Sequence, residues 1–197
     1  RLSGSGGQGL MLAGKLLAEA AVREGRNVVQ TQSYGPEARG GKSKSDVVIS
    51  EGEIDYPKAT TVDVLLVMTP AACREYASSL KSDGVMVYDS SLVDCAERPG
   101  AVGIPLTDLA IHECGRRLFA NVIALGAIAE LTGVMGFDSM RDAVLDRVPS
   151  GTEEVAHRLV PRRAGVAREV AVARAEEPRR VEAGLLVERR QARTHRP

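Results

Sequence analysis

Along the first 150 residues, short apolar runs alternate with segments whose apolar residues recur every three or four positions. Asp63–Thr69 (DVLLVMT) and Val85–Asp89 (VMVYD) are nearly continuous apolar runs closed by polar residues, the pattern of strands buried on both faces of a parallel sheet. Asn27–Gln32 (NVVQTQ), Ser43–Ser50 (SKSDVVIS) and Gly103–Leu106 carry shorter strand signals. Leu10–Arg23 has helical spacing, with Leu12, Leu16, Leu17 and Ala20 on one face, and Gly25 stops it. Pro70–Leu80 is a second helix, followed by a turn at Ser82-Asp83-Gly84. Thr107-Asp108 lead into a further helix. Asp108–Thr132 holds the strongest helical signal, LFANVIALGAIAEL, which Gly133 ends. Asp138–Val148 predicts a last amphipathic helix capped by Asp138 or Ser139.

Strands alternating with helices specify an α/β fold, here a mostly parallel sheet sandwiched by helices. In such sheets ligands sit outside the carboxyl ends of the strands. Two glycine-rich loops, residues 4–9 (GSGGQG) and 34–41 (YGPEARGG), each follow a strand and belong on that edge. In the first, Gly4, Gly6 and Gly9 have the spacing G-x-G-x-x-G, with Gly7 and Gln8 inside the turn. Such a turn admits close backbone approach and aims the free N–H groups of the next helix at an anion.

A dinucleotide site needs an acidic residue at the end of the second strand for the ribose hydroxyls. That strand ends here in Gln30-Thr31-Gln32, and Glu37 lies farther on, inside a loop. A phosphate-binding P-loop is excluded, because no Gly-Lys-Ser/Thr closes the turn and Gly40-Gly41-Lys42-Ser43 precedes a strand. In the second loop Pro36 stiffens the chain, glycines permit close approach, and Arg39 offers a charged fork for phosphate or carboxylate. By composition alone it is equally a surface loop whose Arg39 pairs with Glu37.

No hydrolase pattern is present: Ser5 does not sit in G-x-S-x-G, His112 falls on a helix, and the carboxylates are scattered. Cys73, Cys95 and Cys114 are widely spaced, without CxxC, so no iron–sulfur or zinc site is expected and the thiols are expected buried or half-buried in a reducing cytoplasm. Apolar residues are 44% of the 197, enough for a core, yet no segment reaches the length of a membrane span. The chain opens at Arg1 inside a strand pattern, so its natural start is expected upstream.

Composition changes after about residue 155. Residues 156–197 hold 11 Arg and 5 Glu with no Lys, Asp or aromatic residue, while the preceding residues hold 15 basic and 21 acidic side chains. The zero net charge is therefore a cancellation. The tail reads as out-of-frame translation, as a disordered extension, or as a basic arm for nucleic acid.

GSGGQGLMLAGKLLAEAA followed by VVQTQSYGPEARGGKSKSDVVIS resembles the gamma subunit of the 2-oxoacid:ferredoxin oxidoreductases, the 2-oxoglutarate enzyme's above all. This corresponds to the Rossmann-like gamma domain of pyruvate:ferredoxin oxidoreductase. The likeness continues through EIDYP (53–57), DVLLVMTPAA (63–72), GVMVYDSSLV (84–93) and FANVIALGAIAELTG (119–133) and departs at GTEEVAHRL. It implies one gamma domain over residues 1–155 and a tail foreign to the family. It implies a complex that oxidatively decarboxylates a 2-oxoacid with coenzyme A to acyl-CoA, carbon dioxide and reduced ferredoxin. 2-Oxoglutarate is the first expectation, with pyruvate, branched-chain oxoacids or indolepyruvate as alternatives. Thiamine diphosphate with Mg2+ and the iron–sulfur clusters would reside in other chains, leaving this one without catalytic or metal-binding residues. Its implied partners are alpha and beta subunits, a ferredoxin-like delta subunit and ferredoxin, in the cytoplasm, with neither nucleic acid nor membrane. The implied contact residues are Gly4, Gly6, Gly7, Gln8, Gly9, Tyr34, Arg39, Gly40 and Gly41, facing coenzyme A or the neighbouring subunits. A stand-alone dinucleotide-binding oxidoreductase is the competing reading.

Overall fold

The computed structural model describes residues 1–35, 41–95, 98 and 100–147. Six strands form one sheet in the order β2-β3-β1-β4-β5-β6: β1 Leu2–Ser5, β2 Asn27–Tyr34, β3 Lys42–Ser50, β4 Val62–Val67, β5 Leu80–Asp89 and β6 Ala101–Ile104. Among the described residues five helices accompany them: α1 Leu10–Arg23, α2 Pro70–Tyr76, α3 Leu106–Cys114, α4 Ala120–Thr132 and α5 Phe137–Leu145. Strands β1, β4, β5 and β6 run parallel, while β3 lies antiparallel between β1 and β2. The expected α/β architecture is what the chain adopts.

Alternation along the central strands sorts side chains into two cores. Leu66 and Val87 pack beneath α1, α3, α4 and α5, whereas Leu65, Val67, Met86 and Tyr88 pack on the opposite face with Ala72 of α2. This two-sided burial explains the unbroken apolar runs. Helix α4 is buried over most of its length, Ala120 through Ala129, which accounts for its strong sequence signal.

Several boundaries differ from the sequence expectation. The run from Asp108 to Thr132 is two helices, broken at Gly115 and a 3-10 turn over Arg117–Phe119. The helix expected over Pro70–Leu80 ends at Tyr76, and β5 begins at Leu80, through what was expected as a turn. The last helix starts from Gly136, without a side-chain cap from Asp138 or Ser139. Leu12 is 46% exposed; the buried stripe of α1 runs through Leu10, Ala13, Leu16, Leu17, Ala20 and Ala21. The thiol expectation is also corrected, since Cys73 of α2 and Cys95 after β5 are joined in a disulfide. Both belong to the smaller core, which brings distant cysteines together. The Arg-rich tail, residues 156–197, lies outside the described residues.

Candidate functional site

The carboxyl ends of β1, β4, β5 and β6 form one edge of the sheet, and β2, antiparallel to β3, ends on the same edge. Both glycine-rich loops therefore meet there. The contact is direct: the Gly6 N–H donates to the Gly41 carbonyl at 2.8 Å. Beside it the Gly35 N–H donates to the Lys42 carbonyl at 2.7 Å. Arg39 and Gly40 lie outside the described residues.

Gln8 gives the first loop its shape. Its Oε1 accepts the Ser5 N–H at 2.8 Å, and its Nε2 donates to the Met68 carbonyl at 3.2 Å. One amide thus splints the end of β1 to the end of β4. Gly4 makes room for it, because a Cβ there would lie 2.3 Å from Gln8 Oε1 and 3.2 Å from Met68 Cβ. Gly9 caps α1 in the left-handed region at φ 71°. A Cβ on it would lie 2.3 Å from Asn121 Nδ2. Gly6 and Gly7 are exposed, and the first turn of α1 has neither a side-chain cap nor an acidic residue, so nothing in that turn offsets the partial positive charge of the helix start.

Asn121 was missed by the sequence reading, which saw only a helical stretch. It is 2% exposed in an otherwise apolar helix, and its Nδ2 donates to the Gly9 carbonyl at 2.9 Å. That carbonyl fixes which way the amide points. Its Oδ1 is buried and meets no donor among the described residues. A polar side chain inside an apolar run was the available signal. Tyr34 stands 56% exposed, its hydroxyl 3.2 Å from Met11 Sδ of α1. On the other face of the sheet, Lys42 forms an ion pair with Glu75 of α2, and the lysine hydrogen bond holds the Glu75 carboxyl below its ordinary range.

The dinucleotide reading fails on topology as well as on residue type. In the dinucleotide-binding fold the second strand pairs directly with the first, whereas β3 here separates β2 from β1. Gln30, where an acid would be sought, donates instead to Ser45 Oγ at 2.9 Å and to the Met11 carbonyl at 3.2 Å. His112 is exposed beside Glu113 and faces no nucleophile among the described residues. No group of three or more His, Cys, Asp or Glu among the described residues is placed to hold a metal ion. No helix of the described residues is long and apolar enough to cross a membrane.

The Gly6–Gly41 hydrogen bond thus joins the two glycine-rich stretches on one sheet edge. The family model for pyruvate ferredoxin/flavodoxin oxidoreductase matches residues 1–160. The chain belongs to that family. The family member from Methanocaldococcus jannaschii named 2-oxoglutarate synthase subunit KorC is 45% identical over 159 residues, covering 78% of this chain and 85% of the relative. KorC of Archaeoglobus fulgidus is 48% identical over 134 residues, covering 68% and 70%. A solved gamma subunit of keto/oxoacid ferredoxin oxidoreductase from Geobacter sulfurreducens PCA superposes with a TM-score of 0.75 at 40% identity, over 87% of this chain and 95% of that one. Within the pyruvate ferredoxin/flavodoxin oxidoreductase family, then, this chain is gamma-like in both sequence and fold, as its loops implied.

Proposed function

We propose that the chain is the gamma subunit of a cytoplasmic complex that oxidatively decarboxylates 2-oxoglutarate with coenzyme A, giving succinyl-CoA, carbon dioxide and reduced ferredoxin. The observation that carries the reading is the Gly6–Gly41 hydrogen bond, which joins both family motifs into one structural edge on a chain 45% identical to a 2-oxoglutarate synthase subunit. Thiamine diphosphate, its Mg2+ and the iron–sulfur clusters belong to other chains of the complex, and the alpha and beta subunits are the partners. In this reading Gly4, Gly6, Gly7, Gln8 and Gly9 set the shape of the edge, Tyr34, Gly40 and Gly41 line it, and Arg39 offers charge to a partner carboxylate or a coenzyme A phosphate.

A second reading places coenzyme A itself on the edge, favoured by the uncapped first turn of α1 and the exposed Gly6 and Gly7. Co-expression with the alpha and beta subunits tests the first reading: a stable complex with 2-oxoglutarate-dependent ferredoxin reduction is expected, and a chain that elutes alone overturns it. The Arg39→Ala variant then separates the roles. Weakened assembly assigns Arg39 to the interface, and a raised Michaelis constant for coenzyme A in an intact complex assigns it to the ligand. Neither change removes Arg39 from the site.

A further inference from the structure

We propose that the start of α1 is the centre of a protein-docking surface whose partner presents an apolar segment bordered by carboxylates. This deepens the subunit reading above and rests on it. Eight large apolar side chains among the described residues are exposed, and four of them, Met11, Leu12, Tyr34 and Leu118, belong to the surroundings of the glycine turn. Tyr34 reaches Met11 at 3.2 Å, and Leu118 Cδ1 comes within 3.7 Å of the Cβ position of Gly9. The apolar side chains therefore extend from the end of β2, across the start of α1, to the 3-10 turn before α4. Clusters of this kind on a soluble surface mark contact sites, and Met, Tyr and Arg are favoured in them.

The charge beside the cluster selects the occupant. Arg116 and Arg117 are exposed next to Leu118, and no described acidic side chain pairs with either. The first turn of α1 likewise holds no acidic residue and adds the positive end of its dipole. A second copy docking through the same patch would bring these arginines no carboxylate, since neither the cluster nor the first turn of α1 holds an acidic residue. A phosphate-bearing ligand would use the arginines and N–H groups but leave Met11, Leu12 and Leu118 in water. An acidic rim around an apolar segment satisfies both parts, and opposite charge at a rim accelerates and orients docking.

The test uses the full chain co-expressed with its alpha and beta subunits. In the double variant Arg116→Glu/Arg117→Glu, association with the other subunits at low salt is expected to weaken at least tenfold. Its thermal unfolding is expected to match wild type, because both side chains are exposed. Raising salt to about 0.5 M is expected to weaken the wild-type complex and to narrow its gap to the variant, since exposed charges are then screened. Leu12→Glu is expected to lose assembly at either salt. Undiminished assembly of both folded variants overturns the proposal while leaving the gamma-subunit reading intact. Intact assembly with a raised Michaelis constant for coenzyme A overturns it in favour of the ligand. A wild-type chain that never joins alpha and beta overturns the subunit reading itself.

Discussion

Asn121 donates its side-chain N–H to the carbonyl of Gly9 at 2.9 Å, so the first turn of α4 holds the residue that starts α1. The bond spans 112 residues of sequence and needs Gly9 to lack a Cβ, since a methyl there would sit 2.3 Å from the amide nitrogen. Gly9→Ala adds a left-handed backbone penalty of roughly 1–2 kcal/mol to that clash. We expect a total loss of at least about 2 kcal/mol in urea unfolding. Removing the amide relieves the clash but not the backbone penalty. Gly9→Ala/Asn121→Ala is therefore expected to cost less than the sum of its single variants, and strict additivity would show that the two residues do not meet.

Gln8 makes two bonds that no other side chain of its size can make in its place. Gln8→Ala loses both, at about 1 kcal/mol each. Gln8→Glu retains the acceptor for the Ser5 N–H but sets a carboxylate oxygen against the Met68 carbonyl, replacing attraction with repulsion. Urea midpoints are expected below wild type for both variants. Gln8→Leu, similar in size but without either bond, checks that polarity and not volume is responsible; wild-type stability in Gln8→Leu would remove the splint from the account.

What could be read from residue order was whatever depends on local pattern. The buried runs of β4 and β5 and the two glycine loops declared themselves because strand burial and turn chemistry act over a few residues. Their meeting on one edge was legible too, since each loop follows a strand. Asn121 was not, because its partner Gly9 is distant and its neighbours are those of an ordinary core helix. Nor was the antiparallel insertion of β3: an alternating strand such as SKSDVVIS fits either direction, and pairing partners decide it. Leu12 was misplaced because periodicity gives a face, while the sheet beneath α1 decides which part of that face is covered.

Asp46 on β3 and Arg1 form a buried pair, each side chain 6% exposed, with Arg1 Nε 2.8 Å from Oδ1 and Arg1 Nη2 3.0 Å from Oδ2. Burial alone would raise the Asp46 carboxyl, but the Arg1 guanidinium, aided by Lys44, holds it below its usual range. A carboxylate with a depressed folded pKa contributes stability that is fully present above its unfolded value, about 3.9, and is lost as pH falls through the folded value. Urea stability is thus expected to fall below about pH 4. Asp46→Asn removes this site's share of that fall and costs about 3 kcal/mol at neutral pH, by leaving the guanidinium short of its charge partner. An unchanged acid limb in the variant would assign the pH dependence to other carboxylates.

Asp89 ends β5 fully buried, and its carboxylate holds the start of α3 in place. Oδ1 accepts the N–H groups of Ser91 at 3.1 Å and Thr107 at 3.2 Å, while Oδ2 accepts the Thr107 hydroxyl. These bonds do the work of a cap, since Pro105 at the start of α3 offers no side-chain hydrogen bond. Asparagine can keep the arrangement: its oxygen takes the two N–H groups and its NH2 faces the threonine oxygen, which can accept. Asp89→Asn is therefore expected to cost less than about 1 kcal/mol, and Asp89→Ala about 2–4 kcal/mol, because two half-buried N–H groups and the Thr107 hydroxyl lose their acceptor. The pair discriminates hydrogen bonding from charge. Equal losses in both variants would mean that the negative charge itself is required. Because α3 leads directly into the Arg116–Leu118 turn, Asp89→Ala is also expected to weaken assembly with the alpha and beta subunits under conditions where the chain remains folded, and Asp89→Asn to leave it unchanged.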